Sequence, residues 1–110
     1  MSRNGDMMTA KIAIPQNEIA AFCERNYIRK LSLFGSVLRD DFSSDSDVDL
    51  LVEYEPKAIV TLLDMASQEI ELSHLIGRKV DLRTPSELSH YFRQDVINIA
   101  EKLYVTKNPI

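Results

Sequence analysis

The feature that most constrains the fold is a short segment in which aspartates alternate with apolar residues. Asp47 and Asp49 alternate there with Val48, Leu50 and Val52. Side chains two residues apart on a strand point to the same face, so the pattern predicts a strand with carboxylates on one face. The other face is apolar and would be buried by a helix. Because aspartate is depleted in strands, two of them in one short strand need a reason.

A third carboxylate has the same setting further along the chain. Asp81 lies between Val80 and Leu82 in another short alternating segment. If the two strands are close in the sheet, Asp47, Asp49 and Asp81 converge on one patch, where they would repel one another unless a cation neutralises them. Oxygen ligands select hard cations, and Mg²⁺ leaves positions for phosphate oxygens, so the patch predicts a two-ion site for phosphoryl transfer. The alternative is an ordinary solvated strand face.

The periodicity of the apolar residues predicts one small α/β (α+β) domain, with a mixed sheet and helices packed on one face. The predicted elements are a helix over about 15–26, a strand over 30–34, one helical turn over 36–39, a strand over 47–52, a helix over about 58–76, a strand over 79–83, a short helix from 86 and a last helix over about 94–104. The long helix is expected to bury Leu62, Leu63, Ala66 and Ile70. Residues 1–13 show no periodicity and are expected to form a flexible tail, which leaves the domain at 14–106.

A candidate phosphate site follows the first predicted strand. Gly35 allows close approach of the backbone to a ligand, and the Ser36 hydroxyl with the N–H groups of the next turn can hold a phosphate. Arg39, one turn later, would direct its guanidinium to the same phosphates, or would pair with Asp40 or Asp41 instead. Taken alone, the Gly-Ser pair is also typical of an ordinary turn.

Charge, cysteine content and hydropathy exclude several classes of protein. The net charge is −4, with seven acidic residues in 40–55, which argues against direct nucleic-acid binding because that needs a basic face. The single cysteine, Cys23, excludes an internal disulfide and favours the cytoplasm. No apolar run reaches the roughly 18 residues of a membrane span, and the N-terminal residues lack the apolar core of a secretory signal. We therefore expect a cytoplasmic protein without a membrane partner.

The joint spacing of these motifs resembles a known family. Gly35-Ser36, ten residues and then Asp47-Val48-Asp49 match the signature GSX10DXD of the DNA polymerase beta-like nucleotidyltransferases. The segment 34–53 is most similar to the minimal nucleotidyltransferases, in particular the MntA-type antitoxins of HEPN/MNT toxin–antitoxin pairs. The resemblance implies a nucleotidyltransferase fold like the palm of polymerase beta.

The resemblance also implies an activity and assigns roles to residues. It implies a Mg²⁺-dependent enzyme with two ions that transfers AMP from ATP to a tyrosine hydroxyl of a cognate HEPN ribonuclease toxin and so neutralises it. By the same resemblance, Asp47, Asp49 and Asp81 are the catalytic and metal-binding residues, and Gly35 and Ser36 grip the triphosphate. Arg39 matches a basic residue that is frequent in the family, whereas the following Asp40 stands where many relatives have glycine.

Two other functions remain open at this point. One is a non-catalytic antitoxin that neutralises its partner by binding and occlusion, and the other is a nucleotidyltransferase for a small-molecule acceptor. All three carboxylates are present together with Gly35 and Ser36, which favours the enzyme because a blocking protein would not need them.

Overall fold

The predicted α/β class with a small mixed sheet is confirmed by the structure, a computed structural model that describes residues 6–9, 12–38 and 46–106. In chain order its elements are β1 (Asp6–Thr9), β2 (Ile12–Pro15), α1 (Gln16–Arg25), β3 (Ile28–Phe34), β4 (Val48–Tyr54), α2 (Leu62–Ile76), β5 (Val80–Arg83), α3 (Arg93–Ile99) and β6 (Glu101–Val105). A mixed sheet has the order β5-β4-β3-β6, and β1 pairs with β2 in a separate sheet. Within these ranges no helix is both long and apolar enough to cross a membrane.

The mixed sheet buries the apolar face that the alternating pattern predicts. Val48, Leu50 and Val52 of β4 are all fully buried. Leu50 lies in register with Leu33 of β3 and Leu82 of β5, so three leucines form a row across three strands. Residues of α1 and α2 join the same apolar cluster, so these helices cover this face. The carboxylate-bearing face of β4 is the opposite one.

The core also contains the single cysteine, which provides a chemical test of packing. Cys23 is fully buried on α1, and its burial, followed by the charge of Glu24, raises the pKa of the thiol from 9.0 to about 12. Because the thiolate is the reactive form, we expect iodoacetamide at about pH 8 to modify Cys23 only after unfolding. The Cys23 thiol ionises at a lower pH in the unfolded chain than in the folded one. Its contribution to the free energy of unfolding is therefore intact below the unfolded pKa and is lost as the pH rises towards about 12.

The measurement for Cys23 is the rate of alkylation, followed by intact mass, as urea is raised through the unfolding transition. The rate should rise with the unfolded fraction. Equal alkylation rates in the absence of urea and in full denaturant would contradict the burial of this thiol.

The predicted buried stripe of α2 is wrong. Leu62 and Leu63 are 85% and 82% exposed, and Ile70 is exposed as well. The side that faces the core instead consists of Met65, Gln68, Leu72, Leu75 and Ile76. The helix has apolar residues on two sides, and periodicity alone does not decide which side packs against the sheet.

The start of α2 also differs from the prediction of about residue 58. The helix begins at Leu62, after Thr61, whose hydroxyl accepts from the Asp64 N–H at 3.1 Å while the Asp64 carboxylate accepts from the Thr61 N–H at 2.9 Å. This reciprocal capping box satisfies two N–H groups that would otherwise lack partners. The helix ends at Gly77, which has the positive φ of 77° that favours glycine.

The predicted last helix over 94–104 is wrong in its second half. The helix α3 ends at Ile99, and Ala100 has an extended backbone with ψ of 140°. The residues that follow form β6, which pairs antiparallel with β3 and buries Leu103. This pairing satisfies the backbone groups on the second edge of β3, a contact that a local pattern does not contain. The short helix predicted from residue 86 is a 3₁₀ turn, Pro85–Glu87.

The N-terminal segment differs from the expected flexible tail over 1–13. The strands β1 and β2 pair antiparallel, and Ile12 and Ile14 are buried in the core cluster. Two apolar residues in a four-residue strand form too short a pattern to be recognised without the surface that they cover. The remaining residues of that segment lie outside the described ranges.

Candidate functional site

Two of the three predicted carboxylates lie side by side on the sheet. The parallel strands β4 and β5 place Asp49 in register with Asp81, just as Val48 is in register with Val80. Neighbouring strands are about 4.8 Å apart, so the two aspartates emerge next to each other on the face away from α1 and α2. Both are partly buried. The strands β4 and β5 are therefore neighbours, as the predicted convergence of Asp49 and Asp81 requires.

The third carboxylate does not join that pair in the structure. Asp47 lies just before β4, and its Oδ2 is 4.0 Å from the Nζ of Lys79; the Lys79 side chain is largely exposed and the Asp47 side chain about half exposed. The Val48 N–H donates to the Lys79 carbonyl at 2.8 Å, which holds the starts of β4 and β5 together. Over the described ranges, no three histidine, cysteine or acidic side chains are grouped closely enough to hold a metal ion.

Gly35 lies very close to one of the two paired carboxylates, that of Asp49. Phe34 is in register with Asp49, and Gly35 follows it with a φ of 75° at the start of the 3₁₀ turn Gly35–Leu38. A Cβ on Gly35 would overlap Oδ2 of Asp49. Both the backbone conformation and the space therefore require glycine at this position.

The other two predicted phosphate-binding residues are described only in part. The backbone of Ser36 belongs to the turn after Gly35, whereas its side chain lies outside what the structure describes. Arg39 lies outside the described residues altogether. Their roles remain predictions from the sequence.

Substitution of Gly35 gives the first test of this geometry. We expect Gly35→Ala to lower the free energy of unfolding by about 1–3 kcal/mol, because alanine at positive φ is strained and its Cβ would displace the Asp49 carboxylate. Gly77→Ala is the matched control, since Gly77 has nearly the same φ of 77° but open space around it. Urea unfolding of both variants separates conformational strain from overlap. Equal losses in the two would contradict a close approach between Gly35 and Asp49.

A basic residue that the sequence analysis missed also belongs to the site. Arg83 follows Asp81 by two positions on the same strand, and its Nη2 donates to Oδ2 of Asp81 at 3.1 Å. This hydrogen bond and then the charge of Asp81 raise the pKa of Arg83, with a smaller contribution from Asp49. Arg83 is therefore the direct partner of Asp81. The alternation from Asp81 to Arg83 within one short strand is a signal that could have located it.

An open cavity of about 390 Å³ lies beside Asp49. Its described lining consists of Phe34, Gly35, Leu38, Asp49, Val96 and Ile99. The last two come from α3, more than 40 positions after Asp49 in the chain. Only the tertiary structure brings this helix to the carboxylates. The site thus combines an anionic centre, flanking basic side chains and an apolar wall.

Comparison with known proteins gives a consistent result. A family model described as a nucleotidyltransferase domain matches residues 17–103. The chain is similar to the protein adenylyltransferase MntA of Thermococcus cleftensis, with 38% identity over 82 residues that cover 74% of this chain and 79% of that protein.

Two solved structures resemble the fold. One, described as a minimal nucleotidyltransferase, has 34% sequence identity and a TM-score of 0.64, and the match covers 77% of this chain and 85% of that one. The other is the complex of a tri-AMPylated HEPN toxin of Shewanella oneidensis with an MNT antitoxin. It matches at 21% identity and a TM-score of 0.59, covering 84% of this chain and 71% of that chain, a likeness of fold alone.

Proposed function

The chain belongs to the nucleotidyltransferase domain family, and we propose that it is an antitoxin that transfers AMP from ATP to a tyrosine hydroxyl of a cognate HEPN ribonuclease toxin. The modification neutralises the toxin in the cytoplasm. Two similar proteins support this proposal: MntA of Thermococcus cleftensis is a protein adenylyltransferase, and the MNT antitoxin of similar fold is bound to an AMPylated HEPN toxin.

The observation that carries the proposal is the pairing of Asp49 with Asp81 beside Gly35. The two carboxylates are in register on parallel strands, and the glycine turn lies so close to one of them that a Cβ on Gly35 would overlap its Oδ2. This arrangement combines a cation-binding centre with a turn whose N–H groups can hold phosphate. Nucleotidyl transfer needs both next to each other.

The donor set fits Mg²⁺, because carboxylate oxygens are the ligands that this ion prefers. In the proposal Asp49 and Asp81 hold two ions together with the triphosphate, and Asp47, which is beside Lys79 in the structure, would join them when the ions are bound. When bound, the ions would favour the ionised acceptor hydroxyl and neutralise the departing pyrophosphate. Lys79 and Arg83 pair with Asp47 and Asp81 in the structure, so they compete with added cations for these carboxylates.

The remaining roles are assigned to residues around this pair. The backbone of Gly35, the hydroxyl of Ser36 and the guanidinium of Arg39 hold the triphosphate through charge-assisted hydrogen bonds. Asp81 receives the acceptor proton, with its Oδ2 also hydrogen-bonded to Arg83. An unperturbed tyrosine hydroxyl has a pKa of about 10, so it loses its proton far more readily than a serine hydroxyl.

The test is incubation of the chain with the cognate HEPN protein, ATP and Mg²⁺, followed by intact-mass analysis. We expect about 329 Da to be added to the HEPN protein for each AMP transferred, with loss of its ribonuclease activity. Fragmentation then identifies the modified residue, which we expect to be a tyrosine.

A toxicity-rescue assay beside the mass measurement separates the other functions. Rescue by an Asp49→Asn/Asp81→Asn variant, with no mass change on either protein, would show neutralisation by occlusion. An unmodified HEPN protein with AMP transferred to a small hydroxyl compound would show a small-molecule enzyme. Either result would overturn the proposal.

A further inference from the structure

The cavity beside Asp49 has mostly apolar walls. Phe34, Leu38, Val96 and Ile99 supply apolar side chains, whereas Asp49 is the only charged group among the described residues that line it. Its volume of about 390 Å³ lies at the small end of the range for small-molecule pockets. A purely ionic substrate would gain little from such walls.

Resting on the proposed nucleotidyl transfer, we propose that this pocket is the acceptor subsite and that it binds an aromatic ring which carries the reacting hydroxyl. The ring packs against Val96 and Ile99 of α3 and against Phe34 and Leu38, with its hydroxyl directed to the carboxylates. These four residues thereby select a phenol over an aliphatic alcohol.

The first argument for this occupant is position. In nucleotidyl transfer, the attacking oxygen must lie about 3–3.5 Å from the phosphorus. The oxygen of a phenol is bonded directly to its ring, so the ring must lie within a few ångströms of the carboxylates. Asp49 itself lines the pocket, which meets this requirement. The base of a nucleotide is separated from its α-phosphate by the whole ribose and belongs further from Asp49.

The second argument is chemical. A purine has several ring nitrogens that need hydrogen-bond partners, and burying such polar groups against apolar walls without partners costs free energy. A phenyl ring has none of these groups, and its burial gains about 25 cal/mol per Å² of apolar surface. An aliphatic hydroxyl such as that of serine has too little apolar surface to use these walls.

Transfer to such an acceptor forms one bond to phosphorus and breaks another. The phenolic oxygen forms a bond to the α-phosphorus of ATP, and the bond from that phosphorus to the pyrophosphate oxygen breaks. Pyrophosphate leaves with that electron pair, and the phenolic proton passes to Asp81 and then to water. The product is an aryl ester of AMP.

The test uses two matched variants and the cognate HEPN protein as the acceptor. Ile99 in the pocket is 68% exposed and Ile70 on α2 is 62% exposed, so Ile99→Asn and Ile70→Asn make the same change at comparable exposure. We expect Ile99→Asn to raise the KM for the HEPN protein about 10-fold or more. The KM for ATP and the thermal stabilisation by a non-hydrolysable ATP analogue should not change. Ile70→Asn should leave both KM values unaltered.

A second experiment, with small molecules, tests the chemical class of the acceptor. N-acetyltyrosinamide should inhibit transfer competitively against the HEPN protein, and N-acetylserinamide at the same concentration should not. Ile99→Asn should weaken inhibition by the tyrosine compound.

Each other outcome overturns the inference in a recognisable way. A rise in the KM for ATP in Ile99→Asn would assign the pocket to the nucleobase. Equal effects of the two asparagine variants would show no specific role for α3. If the wild-type chain transfers no AMP to any acceptor, the proposed function fails, whereas transfer that is indifferent to Ile99→Asn refutes only the acceptor subsite.

Discussion

Asp49→Asn is expected to lower the rate of AMP transfer about 10³-fold, equivalent to about 4 kcal/mol of lost transition-state stabilisation. Asp49 is in register with Asp81 and is approached by Gly35, so its charge lies at the centre of the proposed cation and triphosphate site. Asparagine keeps the shape of the side chain and removes that charge. Because Asp49 neighbours both the like charge of Asp81 and the opposite charge of Arg83, we expect the substitution to change the free energy of unfolding by no more than about 1 kcal/mol. Single-turnover transfer measured by intact mass, beside urea unfolding, gives both quantities.

The matched control is Asp64→Asn, which removes the same charge from an exposed residue of the α2 capping box. It should lower stability by a few tenths of a kcal/mol, through the loss of a negative charge at a helix N-terminus, and should leave the transfer rate unchanged. A transfer rate within about threefold of the wild type for Asp49→Asn would remove Asp49 from the site. A large loss of stability in that variant would instead mark it as a structural residue.

Leu72→Ala is expected to lower the free energy of unfolding by about 3 kcal/mol. Leu72 is fully buried where α2 packs on the sheet, and truncation loses its transfer free energy and leaves a cavity. A domain of this size has a total stability of about 5–15 kcal/mol, so this single change removes a large share of it. The measurement is urea unfolding followed by circular dichroism.

The same substitution on the opposite side of α2 serves as the control. Leu62→Ala should change stability by no more than about 0.5 kcal/mol, because Leu62 is 85% exposed. This pair of variants also tests the orientation of the helix, since the apolar pattern alone predicts that Leu62 is buried. A larger loss in Leu62→Ala than in Leu72→Ala would reverse the orientation of α2.

The candidate site could be predicted from the sequence only where its residues follow one another along a strand or turn. The alternation of Asp49 with its apolar neighbours predicted the face on which it lies, and Asp81 followed from the same pattern. Arg83 could have been found in this way, because it continues the alternation from Asp81. The apolar wall from Val96 and Ile99 could not, because no local pattern places α3 beside β4.

The separation of Asp47 from the other two carboxylates shows the same limit of local patterns. Its spacing of two from Asp49 predicted a shared patch, yet Asp47 immediately precedes β4, and it is exposed and near Lys79. Strand geometry orients side chains only within the strand. Where β4 begins depends on its pairing with β5, which the sequence around Asp47 does not encode.

The sequence by itself therefore determined the faces of the strands and the spacing of the motif, because side-chain direction on a strand depends only on local backbone geometry. Tertiary structure decided that β4 and β5 are parallel neighbours, that α2 buries the side with Leu72, and that residues 101–105 pair with β3 as a strand. These outcomes depend on contacts between residues far apart in the chain. A helix with two apolar sides, or a segment able to form helix or strand, takes the state in which the sheet buries its side chains and satisfies its backbone hydrogen bonds.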